Sequence, residues 1–199
     1  KDAGHLTVFQ RRPNWCAPLH NSNIKPDEMK VIRSGYKEMF ELCEQTRAGF
    51  LHTADPRGAF EVSEKERYEF WEHLYASKGF GIWQGNFKDV PTDPKANKAM
   101  SDFVADKIRG RVDDPEVAEK LIPKDHGFGT RRVPLETNYY ESYNRENVEL
   151  IDINETPIER ITPRGILTTD KEFEFDLIIY ATGFNAILGS YDRIDIVGV

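Results

Sequence analysis

Hydrophobic and polar positions change rhythm twice along the chain. From His5 to Gln10, the residues Leu6, Thr7, Val8 and Phe9 form a β-prone run that ends at Arg11-Arg12-Pro13, where proline removes a ladder donor. The pattern predicts a buried strand with a basic end. Residues 14–24 show no period. Pro26-Asp27-Glu28 then opens a stretch in which Met29, Ile32, Tyr36, Met39, Phe40 and Cys43 recur at helical spacing, predicting one helix from about Pro26 to Gln45. Asp55-Pro56-Arg57-Gly58 marks a turn, and Ser63 with Glu66 supplies an N-cap and its glutamate three residues on. A second helix follows over 64–76, with Tyr68, Phe70, Trp71, Leu74 and Tyr75 as packing residues and Gly79 and Gly81 ending it. Asp93-Pro94 starts a third, carrying Met100, Phe103, Val104 and Ile108 up to Gly110, and Asp114-Pro115 starts a short fourth over 116–121.

Beyond residue 122 the runs shorten. Phe128-Gly129-Thr130 and Pro134 punctuate a loop, residues 138–143 suggest a turn of helix, and strands are expected at 148–151, 158–161, 165–168, 172–175 and 177–180. Alternation through Glu172-Phe173-Glu174-Phe175 marks a half-exposed antiparallel strand. The longest apolar run, Leu177 to Ala181, reads as a strand buried on both faces. The first strand therefore has to pair with strands that follow a block of roughly a hundred helical residues. A helical insertion within a split sheet explains that order. The early first strand, and an apolar stretch from Ile194 to Val199 that runs on without a stop, suggest a piece of something larger.

The 199 residues, 39 % hydrophobic and 31 % charged, suit one ordinary domain or one domain with a large insertion. No apolar run approaches the roughly 20 residues that cross a bilayer. Cys16 and Cys43 lack the spacing of a zinc site or disulfide framework, and reduced thiols in a cytoplasm fit best. His5, His20, His52 and His73 share no ligand spacing, so no metal is expected.

A net charge of -7 argues against a general nucleic-acid or anionic-membrane binder, so any bound anion needs a local basic cluster. Two adjacent-arginine pairs supply candidates: Arg11-Arg12 and Arg131-Arg132. In a doubly wound dinucleotide domain the adenosine ribose lies over the end of the second strand, where arginine accepts the extra 2'-phosphate of NADP. Arg11 and Arg12 stand at such a strand end, although Arg-Arg-Pro is also an ordinary solvated exit from a sheet. Arg131-Arg132 sits in a glycine-containing loop whose neighbours lack matching acids, and locally a surface loop explains it. The phosphate-cradling Gly-x-Gly-x-x-Gly does not occur in the chain.

Taken together, Phe9-Gln10-Arg11-Arg12-Pro13-Asn14-Trp15, the run from Leu121 through Pro123-Lys124-Asp125-His126-Gly127-Phe128-Gly129-Thr130 to Arg132, Tyr139-Tyr140-Glu141 and Ala181-Thr182-Gly183-Phe184-Asn185-Ala186 closely resemble Baeyer-Villiger monooxygenases, which are class B flavoprotein monooxygenases. The likeness spans nearly the whole chain in order. It implies an α/β fold: a split Rossmann-like NADP-binding sheet with a large helical insertion. Residues 1–25 would be the strand and exit loop of the NADP-binding domain, 26–122 the helical insertion, 123–186 the remainder of that domain and 187–199 the start of the return to an FAD domain of the same parent chain. It further implies FAD and NADPH as cofactors, with a ketone and dioxygen as substrates. Esters or lactones would form through a C4a-peroxyflavin, with no nucleic acid or membrane involved.

By position, Arg11 and Arg12 match the residues that hold the 2'-phosphate, the second commonly threonine or serine in the family. Arg131 falls where relatives often carry lysine near the same phosphate, and Arg132 matches the family's active-site arginine. A permanently charged guanidinium in a water-poor site stabilises developing negative charge. Asn185 stands where the family usually has aspartate. His126 is expected to be an exposed loop histidine, and Trp71, Trp83, Phe80 and Phe87 to be core packing in preference to a ketone pocket. Tyr139 and Tyr140 are likewise expected to be packing residues. The rival readings are a flavin monooxygenase acting on nitrogen or sulfur, and a non-catalytic helical interaction module.

Overall fold

The computed structural model describes residues 3–46, 48–183, 189 and 194–195. It divides into two units, Lys1–Asp152 and Ile153–Val199.

In the first unit, β1 (Leu6–Gln10) pairs in parallel with β4 (Val148–Asp152), Leu6 opposite Val148 and Gln10 opposite Asp152. The chain between them makes the helical excursion that the pattern requires. A second, minimal parallel pair joins β2 (Ala17–Pro18) to β3 (Leu135–Glu136). The helices are α1 (Pro26–Ser34), α2 (Tyr36–Gln45), α3 (Glu64–Ala76), α4 (Gly81–Gln84), α5 (Pro94–Arg109) and α6 (Pro115–Leu121), and a 3-10 turn spans Glu141–Asn144.

The caps explain the boundaries. Ser63, Asp93 and Asp114 each accept a backbone N–H at the start of α3, α5 and α6, relieving donors that a helix cannot pair internally. The single helix expected over 26–45 is instead two, because Gly35 ends α1 and begins α2. Neither buries a residue. Long stretches of 46–63 and 85–93 are irregular, so the block is less helical than its pattern suggests.

The core of this unit is aromatic and lies among α3, α4, α5 and α6. Trp71, Phe87, Met100, Phe103, Ile108 and Leu121 are all buried there, and Trp71 meets Phe87 and Phe103 ring to ring. Asn86 completes it: one amide oxygen accepts from the Trp71 indole (2.9 Å) and the Phe87 backbone (2.8 Å), while its nitrogen donates to the Ile82 carbonyl (3.0 Å).

The second unit is an antiparallel sheet of β5 (Ile158–Ile161), β6 (Gly165–Thr168) and β7 (Glu172–Glu174), in that order. Leu177 to Ala181 does not form the doubly buried strand expected of it. Among the described residues it pairs with no strand, and Leu177 and Ile179 are 74 % and 80 % exposed. An apolar run becomes a strand only where a neighbouring strand offers its backbone, and none lies alongside. The expectations for Asn185, and all but three residues of 187–199, lie outside the described residues.

Candidate functional site

Parallel pairing carries β1 to its C-terminal end beside the end of β4, and the Gln10 amide donates to the Lys120 carbonyl at 2.8 Å, tying that end to α6. The next two residues, Arg11 and Arg12, are exposed. From there residues 12–18 run alongside residues 125–136. The Asn14 amide nitrogen donates to the Arg132 carbonyl (3.0 Å), the Trp15 indole donates to the His126 carbonyl (2.9 Å), and β2 pairs with β3. Two arginine pairs distant in sequence thus occupy one surface.

Asp125 joins them. Its Oδ2 lies 3.6 Å from Arg12 Nη1 and 3.1 Å from Arg131 Nη2, and its Oδ1 lies 2.6 Å from His126 Nδ1. The His126 hydrogen bond and then the Arg131 charge hold the Asp125 carboxyl below the usual aspartate range. This corrects two expectations. The arginine loop does have a matching acid, which a loop folded back at Gly127 and Gly129 brings within reach. His126 is not an exposed histidine: its side chain is 6 % exposed, with Nε2 3.1 Å from Asn14 Oδ1. The Arg132 side chain is exposed.

The helical block sets the loop's shape. Gly129 adopts φ +75, in the left-handed region, and a Cβ there would lie 3.0 Å from the Trp83 ring, whose indole donates to the Gly129 carbonyl at 3.2 Å. A Cβ on Gly127 would fall 1.6 Å from the Asn97 amide oxygen. The nitrogen of that amide holds the carbonyls of Val90 and Phe128, each at 2.9 Å. Beside the loop opens a cavity of about 500 Å³, lined among others by Trp15, Asn97, Ser101, Arg109, Ile122 and His126.

No family model matches the chain. Over 196 residues, 98 % of its length, it is 54 % identical to 2-oxo-Delta(3)-4,5,5-trimethylcyclopentenylacetyl-CoA monooxygenase of Pseudomonas putida. It is 38 % identical over 199 residues to a Baeyer-Villiger monooxygenase of Pseudooceanicola batsensis. It superposes with a TM-score of 0.95 on the crystal structure of OTEMO in complex with FAD and NADP, at 54 % identity over 98 % of the chain. Over almost its whole length the chain is thus similar to one part of Baeyer-Villiger-type monooxygenases. It spans about 36 % of the length of each of these relatives.

A second charged network centres on Arg111, Glu136 and Glu141. Arg111, just after α5, donates twice to Glu141 (2.6 and 2.8 Å), once to Glu136 (2.8 Å) and once to the Tyr75 hydroxyl (3.0 Å), and its guanidinium lies 5.0 Å from the centre of the Tyr140 ring. The other oxygen of Glu136 accepts the Tyr139 N–H at 2.8 Å. Burial disfavours the Arg111 charge, and the carboxylates more than restore it, so its pKa rises. Tyr140 is buried as expected, with its hydroxyl 3.3 Å from the Cys16 N–H, and burial raises its pKa. The network fixes Glu136 and Glu141, and with them the strand that follows Arg132. Sequence reasoning missed Asp125, His126, Asn14, Arg111 and Glu136. Among the described residues no helix is long and apolar enough to cross a membrane, and no three His, Cys, Asp or Glu side chains converge as metal ligands.

Proposed function

We propose that the chain is the NADP-binding portion, with its helical insertion, of an enzyme that uses FAD, NADPH and dioxygen to turn ketones into esters or lactones. In this reading residues 1–25 and 123–186 form the nucleotide domain around the insertion 26–122, and 187–199 lead back to an FAD domain of the same protein. Arg11, Arg12 and Arg131 hold the 2'-phosphate, and Arg132 is the active-site cation. The two free thiols favour a cytoplasmic enzyme.

One observation carries the reading: guanidinium groups from two segments far apart in sequence approach the same carboxylate oxygen, Arg12 at 3.6 Å and Arg131 at 3.1 Å. An anion already sits between them. Asp125, Arg12 and Arg131 are all substantially exposed, so these ion pairs are weak and a dianionic phosphate with more acceptor oxygens displaces the carboxylate readily. The residues present therefore fit a nucleotide phosphate. When bound, FAD accepts hydride from the nicotinamide and activates dioxygen. The chain's own contribution is to bind the nucleotide and to place a fixed positive charge at Arg132 where negative charge develops.

The test is a pair of substitutions in the full-length protein. Arg132→Ala abolishes ester formation, whereas Arg11→Ala mainly raises the KM for NADPH and narrows the preference over NADH. Full lactone yield from Arg132→Ala, or an unchanged nucleotide preference in Arg11→Ala, overturns the corresponding assignment.

A further inference from the structure

We propose that His126 is a positioning residue for Arg132, its imidazole strapping Asp125 to Asn14 and through Asn14 to the backbone of Arg132. The inference rests on the reading of Arg132 given above.

Three contacts make the strap. Asn14 meets the Arg132 carbonyl at 3.0 Å, and a carbonyl only accepts, so the amide atom facing it is the NH2 group. The amide oxygen of Asn14 is then the atom 3.1 Å from His126 Nε2. Nδ1 of the same ring lies 2.6 Å from a carboxylate oxygen of Asp125. The ring is almost fully buried, so water offers little substitute for these contacts.

The charged groups around the ring leave the strap its own partners. Asp125 faces it directly, while Arg131 and Arg12 are turned towards Asp125 and not towards the ring. Across the cavity that His126 lines, Lys98 is paired with Asp102 at 2.6 Å, Arg109 is paired with Asp106 and Glu119, and Lys124 is paired with Glu119. Each of those cations already has its own carboxylate. The strap is oriented at both ends, because the Trp15 indole holds the His126 carbonyl and the Asn14 amide ends on the residue it positions.

The experiment uses the full-length FAD-loaded protein, NADP+ as the binding probe and a cyclic ketone as substrate. His126→Phe keeps the ring and removes both nitrogens; Asn14→Leu keeps the shape and removes the amide. Each lowers kcat about tenfold, roughly the effect of one hydrogen bond, while the NADP+ dissociation constant stays within twofold because Arg11, Arg12 and Arg131 all remain. The double variant is no worse than either single change, since both cut the same strap. His126→Gln, which offers one amide in place of two ring nitrogens, falls between parent and His126→Phe and guards against a folding artefact.

A multiplied loss in the double variant, an NADP+ affinity that falls in step with kcat, or an unchanged kcat each overturns the proposal. Arg132→Ala separates the two levels of inference. If it retains turnover, the catalytic assignment and the strap's purpose fail together; if it is inactive while the strap variants multiply, only the strap fails.

Discussion

Replacing Arg111 by methionine tests the network that anchors the strand after Arg132. The side chain is 19 % exposed and donates four hydrogen bonds, and the methionine keeps an apolar stem near Tyr140 while removing every donor. Glu136 is the residue that suffers. It is 7 % exposed and keeps the Tyr139 N–H, which donates to it at 2.8 Å. Breaking a buried ion pair by removing one partner costs about 3–5 kcal/mol, because an uncompensated charge stays behind. Glu141, much more exposed, adds less than about 1 kcal/mol. The expected loss is about 4 kcal/mol, which for a protein unit of this size lowers Tm by on the order of 10 °C.

Equilibrium urea unfolding followed by tryptophan emission measures it, since Trp15, Trp71 and Trp83 all lie in the same unit. Adding Glu136→Gln removes the stranded charge and recovers about half of the loss. The pH dependence has a definite sign. The Arg111 hydrogen bonds hold the Glu141 carboxyl below its ordinary value, so their stabilisation is present above the unfolded glutamate pKa and is lost as pH falls through the folded one. Arg111→Met flattens that acid limb. A loss under about 1 kcal/mol, or a double variant no better than the single, refutes the reasoning.

Asn86→Ala strands the Trp71 indole N–H and the Phe87 N–H inside the core and is expected to cost about 2–4 kcal/mol; a thermal melt showing less than about 1 kcal/mol contradicts it. The Cys16 thiol, pushed up to about 11 by burial and then by the Glu136 charge, stays protonated at pH 8. Iodoacetamide is therefore expected to leave Cys16 unmodified in the native protein and to label it after denaturation, as peptide mass spectrometry would reveal. Asp125 has a depressed pKa, so its contribution is present above the ordinary aspartate range and fades as pH falls through its folded value. Thermal melts of Asp125→Asn across that acid window should lack this slope, and identical slopes in variant and parent would remove the role given to the carboxylate.

Local rules reached the elements whose ends are marked by their own residues. Ser63, Asp93 and Asp114 declare three helices, and the pairing of the first strand with a late one follows from its isolation in sequence. Where a feature depends on what lies across the fold, the pattern misled. Met29 to Cys43 keeps one helical period through Gly35, yet the backbone breaks there and the apolar face finds no core. Leu177 to Ala181 has the composition of a buried strand without the neighbour that would make it one. The arginine pairs stood out by charge alone. Asp125 did not, because six residues of separation say nothing of a loop that doubles back at two glycines. His126 was misjudged for the same reason: its burial comes from Trp15 and Asn14, more than a hundred positions earlier.

The β1–β4 pair sets a timetable for biosynthesis. Leu6 leaves the ribosome first, and its partner Val148 is about 140 residues behind. At roughly 5–20 residues per second the nascent strand waits on the order of ten seconds with its backbone unclaimed. Throughout that interval the helical block can condense on local contacts, whereas the sheet edge bearing Arg11 and Arg12 cannot close. Chaperone capture of nascent chains is thus expected to fall on β1 and to end once β4 has left the ribosome.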